Sequence, residues 1–168
     1  QIVISKSLAR TIRKAPFRIT LDTAFEDIIT RCAHAARPGQ PGTWIVPAMR
    51  SAYIKLHKAG FAHSVEAWQG ELLVGGLYGV SLGGAFFGES MFAEARDASK
   101  ICLVYLASLL RSWDFDCIDC QVTTAHLQRM GAVEITRAQF LEILHRALTS
   151  PDRKGPWHLP ADLGPVIP

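Results

Sequence analysis

Apolar residues along this chain recur with a period of two in some stretches and near 3.6 in others, and the changes of period mark out its elements. Residues 1–5 read as a short strand, 7–14 as a basic helix, and 17–21 as an alternating strand ended by Asp22. Thr23 and Glu26 have the spacing of a capping box, which predicts a helix running to about His34. Arg37-Pro38-Gly39-Gln40-Pro41-Gly42 is a loop, because its prolines and glycines sustain neither period. Pro47 suits the first turn of a helix that reaches Lys58 and is closed by Gly60. Three strands follow, at 63–69, 72–81 and 85–90, joined by turns at Gly70-Glu71 and Gly83-Gly84, so an antiparallel meander is predicted. Gly75-Gly76 in the middle strand marks a bulge or a close backbone approach. Residues 99–113 form a helix whose only charges are Lys100 and Arg111, which implies burial around most of its circumference. A strand at 117–122, a helix at 125–130, a strand at 133–136 and a helix at 137–148 complete the pattern. The proline-rich tail from Pro151 should be extended.

The fold class this implies is α/β (α+β), with a mixed, largely antiparallel central sheet flanked by helices. No internal repeat or linker divides the chain. Residues 1–168 therefore read as one domain, with a basic lead-in over 1–35 and an extended tail over 151–168. With 168 residues and 49% hydrophobic content, it is long enough to bury roughly 70% of its unfolded surface. The apolar run at 101–110 is too short to span a bilayer.

Charge changes the picture at one end only. Lys6, Arg10, Arg13, Lys14 and Arg18, five of the 18 basic residues, all precede Asp22, the first of the 15 acids. The body is thus slightly acidic and the positive field is concentrated in the lead-in. Such a cluster is either a phosphate-binding surface with salt-sensitive affinity or a solvated helix face. Cys32, Cys102, Cys117 and Cys120 lack the spacing of a secreted disulfide framework, which favours a reducing compartment. Cys117 and Cys120 lie three apart in a predicted strand, so their sulfurs should diverge. His57, His63 and His126 show no metal-ligand spacing, and no metal is expected.

The candidate chemistry lies in two apolar segments that carry carboxylates, Phe86-Phe87-Gly88-Glu89-Ser90-Met91-Phe92 and Ile118-Asp119-Cys120-Gln121. On a regular strand Asp119 and Gln121 would emerge on one face. A desolvated carboxylate beside a carboxamide would hold an amine or move a proton. The competing reading of Glu89 is a carboxylate satisfied by backbone or a basic neighbour. Trp44 follows the Pro/Gly loop, where it either stacks a base or packs in the core; Trp68, mid-strand, reads as core.

These segments also carry a family resemblance. Gly88-Glu89-Ser90-Met91-Phe92 and Asp119-Cys120-Gln121 occur with Gly42-Thr43-Trp44-Ile45, His63-Ser64-Val65-Glu66-Ala67-Trp68, Leu73-Val74-Gly75-Gly76-Leu77-Tyr78-Gly79, His126-Leu127 and Met130-Gly131-Ala132. In that order they resemble the leucyl/phenylalanyl-tRNA-protein transferases. Members carry an aromatic-rich region ahead of the basic segment, so the resemblance implies that Gln1 is a boundary within a longer protein. It also implies an acetyltransferase-like (GNAT-type) fold, which the order of predicted elements matches. The implied reaction is transfer of Leu or Phe, less readily Met, from aminoacyl-tRNA to a protein bearing N-terminal Arg or Lys, for N-end-rule degradation. Asp119 and Gln121 would be catalytic, with Gln121 orienting the amine. Glu89, Ser90 and Met91 would form the amino-acid pocket with Leu77, Phe86 and Leu110, and Trp44 would add a stacking surface. Lys6, Arg10, Arg13, Lys14 and Arg18 would meet tRNA phosphates. No cofactor is implied, and the setting would be a monomer in the bacterial cytoplasm, away from membranes.

Two other readings compete, a coenzyme-A-dependent N-acetyltransferase and a non-catalytic RNA- or peptide-binding module. Met91 to Lys100 holds no phosphate-cradling glycine run, and Glu94 and Asp97 there would oppose an anion.

Overall fold

A computed structural model describes residues 2–35 and 42–165. Its elements run α1 (Lys6–Arg13), β1 (Arg18–Leu21), α2 (Phe25–His34), α3 (Pro47–Lys58), β2 (Ala62–Gln69), β3 (Leu72–Leu82), β4 (Ala85–Ala93), α4 (Ala98–Ser112), β5 (Cys117–Asp119), α5 (Ala125–Arg129) and α6 (Arg137–Ala147). The strands form one mixed sheet in the order β1-β2-β3-β4-β5, antiparallel throughout except for the parallel pair β4–β5. A parallel pair needs a crossover, and α4 supplies it.

Helices cover both faces, as the burial of alternate residues on both sides requires. On one face α4 packs with α1 in a core of Leu8, Ile12, Val65, Leu77, Phe86, Ile101, Leu106, Leu110 and Trp157. On the other, α2 contributes Phe25, Ile28, Ile29 and Cys32 to a cluster with Tyr78 and Phe92. Both readings of Gly75-Gly76 hold. Val74 is the extra residue of a β3 bulge, since Ala67 pairs with Gly75 and Trp68 with Leu73. Its carbonyl instead receives the Glu94 and Ala95 N–H groups at 2.8 and 3.1 Å. A Cβ on Gly75 would stand 2.5 Å from the Ala98 methyl, and one on Gly76 2.2 Å from Ile28 Cδ1. Glycine here lets α4 and α2 lie directly on opposite faces of the strand.

Four expectations need correction. Residues 2–5 form no strand: Ser5 caps α1, and the Val3 N–H donates to Met130 O at 2.8 Å. Thr23 does not build a capping box, because its hydroxyl donates at 3.0 Å to the Glu66 carboxylate and Ala24 takes the N-cap position. Residues 133–136 alternate as a strand would, yet they join no sheet among the described residues: Thr136 caps α6, and Val133 is 79% exposed. The strand expected over 117–122 stops at Asp119. The predicted loop at 37–42 lies outside the described residues except for Gly42. The tail over 151–165 holds no helix or strand but is not extended throughout, since it turns at Ala161-Asp162, and Trp157 anchors it.

Candidate active site

The end of β5 decides how Asp119 and Gln121 relate. Asp119 Oδ1 accepts the Gln121 backbone N–H at 2.8 Å, and Val122 N–H donates to Cys120 O at 2.6 Å. Gln121 sits between them at φ +61°. That is a tight turn around a left-handed residue, a conformation costing a non-glycine residue about 1–3 kcal/mol and concentrated at functional sites. The alternation that would have put both side chains on one strand face does not apply, because Gln121 is off the strand. The turn associates them by another route and sends the Gln121 carboxamide across to β4, where Nε2 donates to Gly88 O at 3.2 Å.

On β4, Gly88 pairs with Gly79 and Ser90 with Tyr78, so Glu89 between them is the extra residue of a bulge. The bulge reverses the parity of the strand. Phe86 belongs to the core on the α4 face, while Phe92, an even number of residues on, belongs to the core on the α2 face. Bulges re-aim side chains in this way, often beside active sites. Glu89 is brought to Tyr53 of α3: burial, then the hydrogen bond and charge of Glu89, push the Tyr53 phenol well above its ordinary range. Tyr53 is itself held edge-on against Tyr78 and Trp44, at 5.3 and 6.2 Å between centroids.

Neither Glu89 nor Asp119 is desolvated as the apolar segments suggested; both are half-buried. Leu77, Phe86 and Leu110 are buried together in the α4-face core, with Met91 packed against them from its half-exposed position opposite Leu77. Ser90 is half-buried. Trp44 is 42% exposed. On α1, Lys6, Arg10 and Arg13 line one stripe around a cavity of about 300 Å³, behind which Leu8 and Ile12 are buried. Lys14 is exposed nearby, and Arg18 lies over the Trp68 ring at 5.2 Å.

At the start of α4, Asp97 occupies the N-cap and holds Lys100 at 2.6 Å, while Glu94 pairs with Arg31 at 2.8 Å. A pyrophosphate there would meet two carboxylates. Burial, reinforced by Asp119, pushes the Cys117 and Cys120 thiols up, which makes them poor nucleophiles. Among the described residues no cluster of three His, Cys, Asp or Glu could hold a metal ion, and no helix is long and apolar enough to cross a membrane.

Sequence reasoning overlooked three features. Tyr53 had no local mark, since its partner Glu89 is far along the chain. Glu66 is the fully buried strand carboxylate, at 0% exposure. It accepts hydrogen bonds from Ser64, Thr20 and Thr23, and Thr20 in turn accepts the Trp68 Nε1–H at 2.8 Å. Asp22, left-handed at φ +56°, accepts from Ser64 N, Trp157 N and His63 Nδ1 at 2.8, 2.6 and 2.8 Å, and His63 stacks on Trp157 at 3.7 Å. The capping-box spacing at Thr23 and Glu26 was a signal near this network, and it pointed elsewhere.

Comparison with known proteins gives the family. Residues 1–145 match the family described as leucyl/phenylalanyl-tRNA protein transferase. A transferase of that name from Anaeromyxobacter sp. (strain Fw109-5) is 62% identical over 158 residues, covering 94% of this chain and 67% of the relative. Another from Nitratidesulfovibrio vulgaris (strain DP4) is 57% identical over 162 residues, 96% of this chain and 69% of the relative. A third, from Alkalilimnicola ehrlichii (strain ATCC BAA-1101 / DSM 17681 / MLHE-1), is 54% identical over 165 residues, 97% and 63% respectively. The chain belongs to the leucyl/phenylalanyl-tRNA-protein transferase family of aminoacyltransferases.

Proposed function

We propose that the β4–β5 seam transfers Leu or Phe, and less readily Met, from aminoacyl-tRNA to the N-terminal Arg or Lys of an acceptor protein. The observation that carries the reading is the Gly88–Gln121 bridge. It joins the bulge that presents Glu89 to the strained turn that presents Asp119 and Gln121.

In this reading Glu89, oriented by Tyr53, receives the donor's α-ammonium group. The apolar donor side chain enters past Met91 toward Leu77, Phe86 and Leu110, with Ser90 beside it. Trp44 offers a ring face to the terminal base, and Lys6, Arg10, Arg13, Lys14 and Arg18 meet phosphates, which give affinity without reading sequence. Asp119 attracts the cationic acceptor terminus. The Gln121 carboxamide orients the neutral amine, which has an ordinary pKa of about 7.7 to 8.0. The amine nitrogen bonds to the ester carbonyl carbon, and the bond from that carbon to the 3′ oxygen of the terminal adenosine breaks. The amine's proton passes to that oxygen, directly or through water. A carboxamide is too weak a base to keep the proton, so positioning is its contribution. The ester supplies the free energy, and no nucleotide is consumed. A monomer in the bacterial cytoplasm, marking acceptors for N-end-rule degradation, is the setting this reading favours.

The test mixes the protein with radiolabelled Leu-tRNA and a protein bearing N-terminal Arg. Label should pass to the acceptor, and should fail to pass with Asp119→Ala or with an N-terminal Gly acceptor. Equal labelling of the Arg and Gly acceptors would overturn the acceptor rule.

A further inference from the structure

β4 outruns its neighbour. β5 pairs with it only at Ala85↔Cys117, Phe86↔Ile118 and Phe87↔Asp119, and β4 then continues to Ala93 with no strand on that side among the described residues. The two neighbouring strands also differ in burial. β3 is buried at seven successive positions from Leu73 to Gly79, whereas β4 is half-exposed at five successive positions from Phe87 to Met91. Exposure of one sheet face would uncover alternate residues. The run spans the Glu89 bulge, where that alternation is broken, so the open edge is read from the pairing itself: β4 has no β5 partner beyond Phe87. The chain that could have covered the edge turns away at Gln121, and residues 121–125 are exposed.

We infer that this edge takes the acceptor protein. The acceptor's first residues, extended, resume the line that β5 leaves at Asp119 and pair in parallel with β4 from Glu89 to Ala93 through main-chain hydrogen bonds. The inference rests on the transferase reading of the same seam. Position argues for this occupant: an acceptor amine placed at Asp119 and Gln121 stands where the open edge begins, so the following residues have five strand positions to run along. Chemistry argues for it too. An edge of backbone N–H and C=O groups complements another backbone and gives affinity without regard to side chains. RNA would instead bring phosphates toward Glu89 and Asp119. The Gly88 carbonyl, the first rung, is already taken by the Gln121 carboxamide, which fixes where the acceptor's pairing starts.

The test uses the unaltered protein. Acceptor peptides with N-terminal Arg carry one backbone ester in place of an amide, at each residue from the second to the sixth. An ester removes the N–H donor without adding bulk. In a parallel pair only every second residue donates to a given neighbour. The peptide KM should therefore rise about three- to tenfold at alternate positions, with kcat within about twofold. A flat KM profile on a peptide that accepts Leu overturns the pairing and leaves the transferase reading intact. If the unmodified peptide accepts no Leu, the transferase reading fails and the pairing falls with it.

Discussion

Glu66 and Glu89 are glutamates on β2 and β4 of the same sheet, yet they stand in opposite circumstances. Glu66 is sealed: no part of it reaches solvent, and three hydroxyls from Ser64, Thr20 and Thr23 donate to it. Glu89 is half-exposed on a bulge, with the Tyr53 hydroxyl beside it. A buried carboxylate that accepts from three hydroxyls holds β1, β2 and the start of α2 together and is closed to a ligand. An open carboxylate with spare acceptor capacity can receive one. The two carboxylates on the flanking elements divide the same way. Asp22 is enclosed by His63, Ser64 and Trp157, and Asp119 sits at a free strand end with one oxygen on the Gln121 N–H. Burial of a carboxylate in a strand is therefore a sign of architecture here, and the chemistry proposed for the seam falls to the two carboxylates that are partly exposed, beside a bulge and a strained turn.

The largest effect should come from the sealed side. Glu66→Ala leaves the buried Ser64 hydroxyl without its acceptor and takes away the one that Thr20 and Thr23 share, and should destabilise the fold by about 2–4 kcal/mol in denaturant titration. Glu66→Gln, which keeps one acceptor oxygen but adds a donor among donors, should cost less, about 1–3 kcal/mol. Loss of transfer activity by a Glu66→Gln protein that melts like the wild type would put Glu66 in the chemistry and break the division.

Asp119→Ala should do the reverse. Transfer should fall about 100-fold or more, while stability stays within about 0.5 kcal/mol because the carboxylate is half-exposed. A stability loss as large as that of Glu66→Ala would mean that the turn at Gln121 is a structural joint.

How far this division was readable beforehand depends on the range of each contact. Helices and the meander were legible because local signals agree with their surroundings: Pro47 at the first turn of α3, glycines at the turns, few charges on α4. The strand expected at 133–136 had the right alternation and no edge to pair with, and alternation cannot reveal that. Asp119, Gln121 and Glu89 stood out as polar residues in apolar segments. Their geometry did not, since nothing local announces a left-handed Gln121, and Gly88 alone does not announce a bulge. Tyr53 meets Glu89, and Asp22 meets Trp157 135 residues away. Such pairs exist only once the sheet has assembled them.

Tyr53→Phe isolates one such pair. It removes the hydroxyl beside Glu89 and keeps the ring against Tyr78. The KM for Leu-tRNA should rise about tenfold, the loss of one hydrogen bond to a charged group, with a smaller change in kcat. Because burial and Glu89 raise the phenol's pKa, it is still a donor at its ordinary pKa of about 10, and the wild-type KM should show no rise from this group near that pH. An unchanged KM in Tyr53→Phe would mean that Glu89 does not need orienting.

The smallest effect belongs to His126, on the short helix that follows the seam. Burial, then the charges of Lys100 and Arg129, lower its pKa from the ordinary 6.5. The unfolded chain therefore takes up the proton first as pH falls below about 6.5, and this group withdraws stability on the acid side while costing nothing above it. His126→Asn should make the decline of Tm between about pH 6.5 and 5 shallower, by only about one degree at a half-exposed site. A change of several degrees would show that the ground beside the seam is as closed as the pocket around Glu66, and the contrast between a sealed and an open half of the sheet would have to be redrawn.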